Sequence, residues 1–341
     1  MAVYMYNGKH AINHFATNPS ARWYKPGVNV NDPSGMLAVQ RLKNKIFEPY
    51  LAPEFSFDRS DRIYMIGSCF ARGLELSLAN QGFLVESSAS EFNTFELSSK
   101  GVTQLGFTNK YNTFSIRNEL EWAIDPSIAC PDSIYVQIGP DRWVDPHTNP
   151  TLKFVGYEDT VARRRIINTV TGRIVNCQLI VITLGLIEAW YDHASHYYLN
   201  MTPTQEMLKN HPDRFSFHVS SYHQNISNLE AIYDLLQTYC QVEHNIVVTV
   251  SPIPLMATFS PRDIVIANTF SKSMLRTVAE EWSARHANVH YFPSYEIALN
   301  SEPATVWSED GRHIKGDFVK HIIQLFKNCF YNDTQSVTSN V

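Results

Sequence analysis

Four short runs of apolar residues constrain this chain more than anything else in it. They are Arg62–Ile66, Gln178–Leu184, Asn245–Val250 and Asn288–Phe292, rich in Val, Ile and Tyr and nearly free of alternation. A strand with one wet face alternates, so a near-continuous run means a strand covered on both faces. Patterns of helical period lie between the runs. Phe70–Gln81 leads to Gly82, which suits a helix C-cap. Ser221–Tyr239 sets Ile226, Leu229, Tyr233, Leu236 and Tyr239 at spacings of three and four, and Asp263–Arg285 sets Ile264, Ala267, Phe270, Met274, Val278 and Trp282 on one stripe. Gly316–Phe330 carries Phe318, Ile322, Leu325 and Phe326 in the same way. Strands alternating with helices predict an α/β domain, a parallel sheet with helices on both faces. With 341 residues, 44% of them hydrophobic, the chain can bury one large core and still carry insertions.

The remaining segments are organised around that domain. Residues 1–58 are rich in Asn, Pro, Tyr and Trp and read as an arm, with one short helix expected around Met36–Phe47. The domain itself is expected over 59–330, with a flexible tail at 331–341. The stretch 87–177 breaks the strand–helix rhythm and reads as a large insertion, part lid or substrate platform. Gly139-Pro140-Asp141 within it marks a hairpin between Ile134–Ile138 and Arg142–Val144. Five aromatics in the insertion or at strand ends, Tyr111, Phe114, Trp122, Trp143 and Trp190, are candidates for a sugar-stacking platform.

Composition excludes several functions. Net charge is −5, and the one tight basic run, Arg163-Arg164-Arg165, reads as a solvated helix face, so no nucleic-acid partner is expected. The five cysteines, Cys69, Cys130, Cys177, Cys240 and Cys329, are odd in number and form no Cys-x-x-Cys, which suits a reducing compartment. The first residues lack a signal-peptide pattern, and the longest apolar stretch, Leu179–Ile187, is too short to span a bilayer. A cytoplasmic protein without a membrane span is expected. His193, His196, His211, His218 and His223 cluster without a metal-ligand motif, so no metal is expected. No Gly-rich phosphate loop is present.

The chemistry concentrates at Ile66-Gly67-Ser68-Cys69-Phe70-Ala71, where a strand run meets a helical pattern. A serine there lies near the unpaired N–H groups of a helix start, which can hold an oxyanion, and Gly67 allows a tight turn. The same pattern also suits an ordinary N-cap serine. Downstream, Asp310-Gly-Arg-His313 sets an Asp three residues before a His, the pair needed to activate a serine. Asp-Gly is equally a common surface turn.

These residues resemble the GSCFA family, within the wider SGNH/GDSL hydrolase group. The resemblance continues in order through Lys110-Tyr-Asn-Thr-Phe-Ser-Ile116, Thr183-Leu-Gly-Leu-Ile-Glu-Ala-Trp190, Thr249–Thr258, Ser271–Arg276, Tyr291–Glu296 and the Asp310/His313 pair, over about residues 60–325. It implies a flavodoxin-like α/β/α sandwich, with Ser68 as nucleophile, His313 as base and Asp310 as its orienter. The group's oxyanion hole uses the serine N–H, a glycine N–H and an Asn from a Gly-x-Asn-Asp block. Here that block reads Gly185-Leu-Ile-Glu188, and Ile187 has no side-chain donor. Asn112 is the candidate replacement, with Gly67, Cys69, Gly185 and Glu188 lining the site. Cys69 reads as a structural cysteine whose side chain points away, in preference to a thiol nucleophile, and Lys272 as a solvated or anion-pairing residue, with a negatively charged donor or substrate as the alternative partner. The resemblance implies an esterase or O-deacylase acting on acylated carbohydrate or a small ester, without a cofactor. The alternatives are an O-acyltransferase, with acyl-CoA as a conceivable donor, and a binding module lacking a working oxyanion hole.

Overall fold

The computed structural model describes residues 3–52, 55–98, 106–149 and 151–332. Five parallel strands form the central sheet: β1 (Arg62–Gly67), β2 (Leu84–Val85), β5 (Leu179–Leu184), β9 (Asn245–Val250) and β10 (Val289–Tyr291). The two-residue β2 was not legible as a run of its own. Two excursions carry the rest, the hairpin β3 (Val136–Gly139) and β4 (Arg142–Val144), and the antiparallel trio β6 (Glu188–Asp192), β7 (Tyr197–Tyr198) and β8 (Phe215–Val219). The central order is β10-β9-β5-β1-β2. Renumbered within the sheet this is 2-1-3-4-5, the flavodoxin-like order, whose switch point falls between β1 and β5.

The helices are α1 (Gly8–Thr17), α2 (Ala38–Arg41), α3 (Cys69–Asn80), α4 (Thr113–Ile124), α5 (Tyr157–Thr171), α6 (Gln205–Asn210), α7 (Tyr222–Tyr239), α8 (Ile264–Arg285), α9 (Ser294–Asn300), α10 (Pro303–Val306) and α11 (Gly316–Phe330). Successive strand residues serve opposite faces. Tyr64, Ile66, Ile180, Ile182, Ile246 and Val248 pack against α4, α7 and α8, while Ile63, Met65, Val181 and Val247 pack against α3, α9 and α11. Double coverage explains the continuous apolarity of the runs. Gly82, at φ +79°, closes α3 as expected, with the Phe83 N–H donating back to Leu78 O. Ser221 opens α7 with a capping box completed by Gln224.

Several expectations are corrected. The helix expected around Met36–Phe47 is only the four-residue α2, and α1 was not foreseen. The buried stripe of α8 is turned from the expected one. Ser271, Lys272, Leu275, Val278, Ala279 and Trp282 face inward, and Phe270 is exposed. In the Arg163–Arg165 run, Arg164 is buried, donating to Glu119 and paired with Asp145. Trp122 is core, Phe114 stacks on Tyr198, and Trp143 and Trp190 pack in separate clusters, so the five aromatics do not form one platform. The arm folds back on the same chain: Glu302 N–H donates to Lys45 O, and Tyr4 OH to Glu280. The expected tail falls, from residue 333 on, outside the described residues.

Candidate active site

The carboxyl ends of β1 and β5 form the floor of the site. Gly67 ends β1 at φ +135°, a conformation that favours glycine, and a Cβ there would collide with the carbonyl and hydroxyl of Thr183 on β5. A Cβ on Gly185 would lie 2.6 Å from Tyr111 O. The 109–112 segment is thus clamped onto both strand ends. Lys110 N–H donates to Gly67 O (2.7 Å), and Leu186 N–H donates to Tyr111 O (2.8 Å).

Ser68 is at the N-cap of α3 but does not cap it with its side chain. Its hydroxyl shares a hydrogen bond with Thr183 Oγ1 (3.2 Å), and its N–H donates to the same oxygen (2.8 Å), leaving the residue 3% exposed. Thr183 thus takes up the N–H expected as the first oxyanion donor and holds the hydroxyl beside it. Cys69, the first residue of α3, keeps more exposed surface. Arg312, Lys272 and Tyr111 lie within electrostatic reach of it. Burial pushes the thiol up, and Arg312 and Lys272 work against that rise.

Asp310 and His313 are brought together as the sequence suggested. Asp310 accepts from His313 N–H (2.9 Å) and Arg312 N–H (3.0 Å) and lies 2.5 Å from His313 Nδ1. These bonds hold its carboxyl well below the usual range. Arg312 Nη1 lies 3.1 Å from His313 Nε2 and can only donate, so Nε2 carries the lone pair and Nδ1 the proton. Arg312 Nε also donates to Pro254 O, which ties this loop to the end of β9. Ser68 and His313 share no hydrogen bond: one is held by Thr183, the other by Arg312.

The proposed oxyanion residues are placed as follows. Asn112 is a helix cap, its Oδ1 accepting from Ser115 N–H and its Nδ2 donating to Leu199 O. Ile187 is buried in the main core, its N–H donating to Ser271 Oγ. Glu188 accepts from Thr258 Oγ1 (2.5 Å) and steadies the loop that follows β9. Lys272, expected to be solvated, is 1% exposed and donates to Gly185 O (2.6 Å). Burial lowers its pKa to about 7, with Cys69 opposing the fall and Arg312 adding to it. Sequence reasoning missed Arg312 as a site residue and favoured a solvated position for Lys272. Lys272 sits at helical spacing with Leu275, Ala279 and Trp282, a position that faces a core.

The family model for GSCFA matches residues 62–326. The chain belongs to the GSCFA family. No curated protein matches it. Among solved structures, a family 3 carbohydrate esterase of Clostridium thermocellum is similar over 79% of this chain and 94% of its own, at 11% identity and a TM-score of 0.32. The GSCFA match spans β1 to α11 and includes every site residue above. Among the described residues, no group of three or more His, Cys, Asp or Glu is placed to hold a metal ion, and no helix is long and apolar enough to cross a membrane.

Proposed function

We propose that this GSCFA protein cleaves O-acyl esters through a covalent acyl-enzyme at the Gly67–Cys69 turn, with His313 as base and Asp310 as its orienter. The observation that carries this reading is the imidazole. Its Nδ1 proton faces a carboxylate, and its Nε2 lone pair is free to accept once Arg312 moves. A neutral histidine so held can take a proton from a nucleophile and return it to a leaving alkoxide. The family resemblance gives the attack to Ser68. Its Oγ bonds to the carbonyl carbon, the π pair moves to oxygen and the hydroxyl proton passes to His313. Collapse breaks the ester C–O bond, and water then releases the acyl group by the same route.

Hydrolysis of p-nitrophenyl acetate and of acetylated sugars tests this reading. The expected result is turnover that falls at least about 1,000-fold in His313→Ala. A folded wild type that cleaves none of these esters overturns the reading in favour of a binding module. A second reading, transfer of the acyl group to a sugar hydroxyl, draws support from Lys272 and Arg312. Neither forms an ion pair among the described residues, and such a pair of cations suits an anionic donor such as acyl-CoA. Product analysis with added sugar acceptors separates transfer from hydrolysis.

A further inference from the structure

We infer that residues 3–36, the outer part of the arm, dock on a second copy of this chain, against the face that opens α8. The inference goes beyond the ester reading and does not depend on it. Of the twenty large apolar side chains exposed among the described residues, eleven lie in residues 3–50. Met5, Ile12 and Trp23 are each 70% exposed or more. The arm is tied to its own chain at both ends, through Tyr4 to Glu280 and through Lys45 and Phe47 to Glu302 and Ser301. No residue from 3 to 36 is buried. That includes all ten residues of α1, and an isolated helix so short is marginal in water unless a face of it is packed. Ala11 and Ile12, one turn before Phe15, supply the apolar face to be packed. Exposed apolar surface concentrated in this way marks an interaction site.

Charge and position select the occupant. Residues 3–47 hold six basic residues and one acidic residue, a net +5, so the rest of the chain carries −10. A second copy therefore offers the arm an opposite charge. It also offers apolar surface, because four of the other nine exposed side chains, Met256, Phe259, Val265 and Ile266, fall within the loop before α8 and its first turn. Ile266, Ser273, Thr277 and Glu280 follow at spacings of seven, four and three, which is one side of α8. The first three are exposed, and the fourth accepts from Tyr4. The arm thus starts at the far end of the face that Ile266 opens, about 21 Å along the helix. A two-fold axis across that face lays each copy's arm over the other's patch, the self-complementary arrangement of a closed dimer. A stable interface uses about 20–30 residues a side, and the outer arm has that length.

Sedimentation velocity of the full chain at micromolar concentration tests this, together with carbodiimide cross-linking of light and heavy isotope-labelled protein mixed and left to exchange. The expected result is a dimer whose dissociation constant rises at least about tenfold in Ile12→Glu and in Ile266→Glu. Both positions are exposed, so the fold itself is kept. Cross-linked peptides with one light and one heavy half are expected to join Lys9 or Lys25 to Asp263, Glu280 or Glu281. A monomer throughout, a dimer that neither variant weakens, or cross-links without mixed pairs overturns the inference. So does a monomer that binds vesicles of phosphatidylglycerol and phosphatidylcholine and loses that binding in Ile12→Glu, which gives the arm a membrane surface instead. Ester turnover is measured separately, and its absence leaves the dimer standing while overturning the ester reading.

Discussion

Lys110 and Lys272 are both buried lysines near the same turn, and their surroundings differ in kind. Lys110 pairs with Glu119 (2.7 Å) and donates to His147 O (2.6 Å). Arg164 bonds to the same Glu119 and to Asp145, so two positive groups meet two negative ones. Arg164 and Lys110 outweigh the burial that would otherwise raise Glu119, and its carboxyl stays charged. The cluster is complete, and its task is positional, because the Lys110 N–H holds the Gly67 carbonyl. Lys272 has a carbonyl and, among the described residues, no counter-charge. A balanced cluster marks architecture, and an unbalanced buried charge marks a place where chemistry completes the balance.

Removing one member from each cluster should therefore have opposite effects. Glu119→Gln is expected to have the largest effect, a loss of about 3–5 kcal/mol in urea unfolding, since two buried cations lose their partner. An unchanged midpoint would break the comparison at once. Lys272→Met keeps the volume and removes an uncompensated charge. It is expected to raise stability by about 1–3 kcal/mol while lowering ester turnover by about 100-fold. A lysine with a purely structural role would lose stability and activity together.

The same contrast is expected in pH dependence. Lys272 is held near 7 in the folded state, against an ordinary 10.5. Between those values the unfolded chain binds a proton that the folded chain does not, so its contribution makes stability rise with pH across that window. Each pH unit accounts for about 1.4 kcal/mol at most. Subtracting the Lys272→Met curve from the wild-type curve should isolate that rise, and parallel curves would contradict it. The smallest effect is expected at Phe270, which the stripe placed in the core and the structure exposes. Phe270→Ser should stay within about 0.5 kcal/mol, and a larger loss would restore the stripe as first drawn.

Much of the sheet was legible because double burial leaves a signature in every strand residue. The two-residue β2 left none, being too short to show a run. The turn of α8 was misjudged because apolar residues occur on more than one side of it, and Ser271 and Lys272 look like surface residues until their partners at Ile187 and Gly185 are known. Arg164 escaped notice for the same reason, since Glu119 and Asp145 are remote in sequence. Asn112 carries a cap signal, an Asn before a helix with Ser115 three residues on, and the structure uses it as a cap. The pairing of Asp310 with His313 was readable because three residues separate them. The contact of Ser68 with Thr183 was not readable, because the backbone turns from strand to helix there and Thr183 is remote in sequence.

Gly67 and Gly185 allow a test that needs no protein at all. At each, the position a Cβ would take is already filled by another segment's backbone, Thr183 in one case and Tyr111 in the other. Three stretches of chain from distant parts of the sequence meet there only because two side chains are missing. A relative with any residue larger than glycine at either place has had to rebuild its strand ends. That pair of positions therefore sorts sequences that can share this site geometry from those that keep only the surrounding fold.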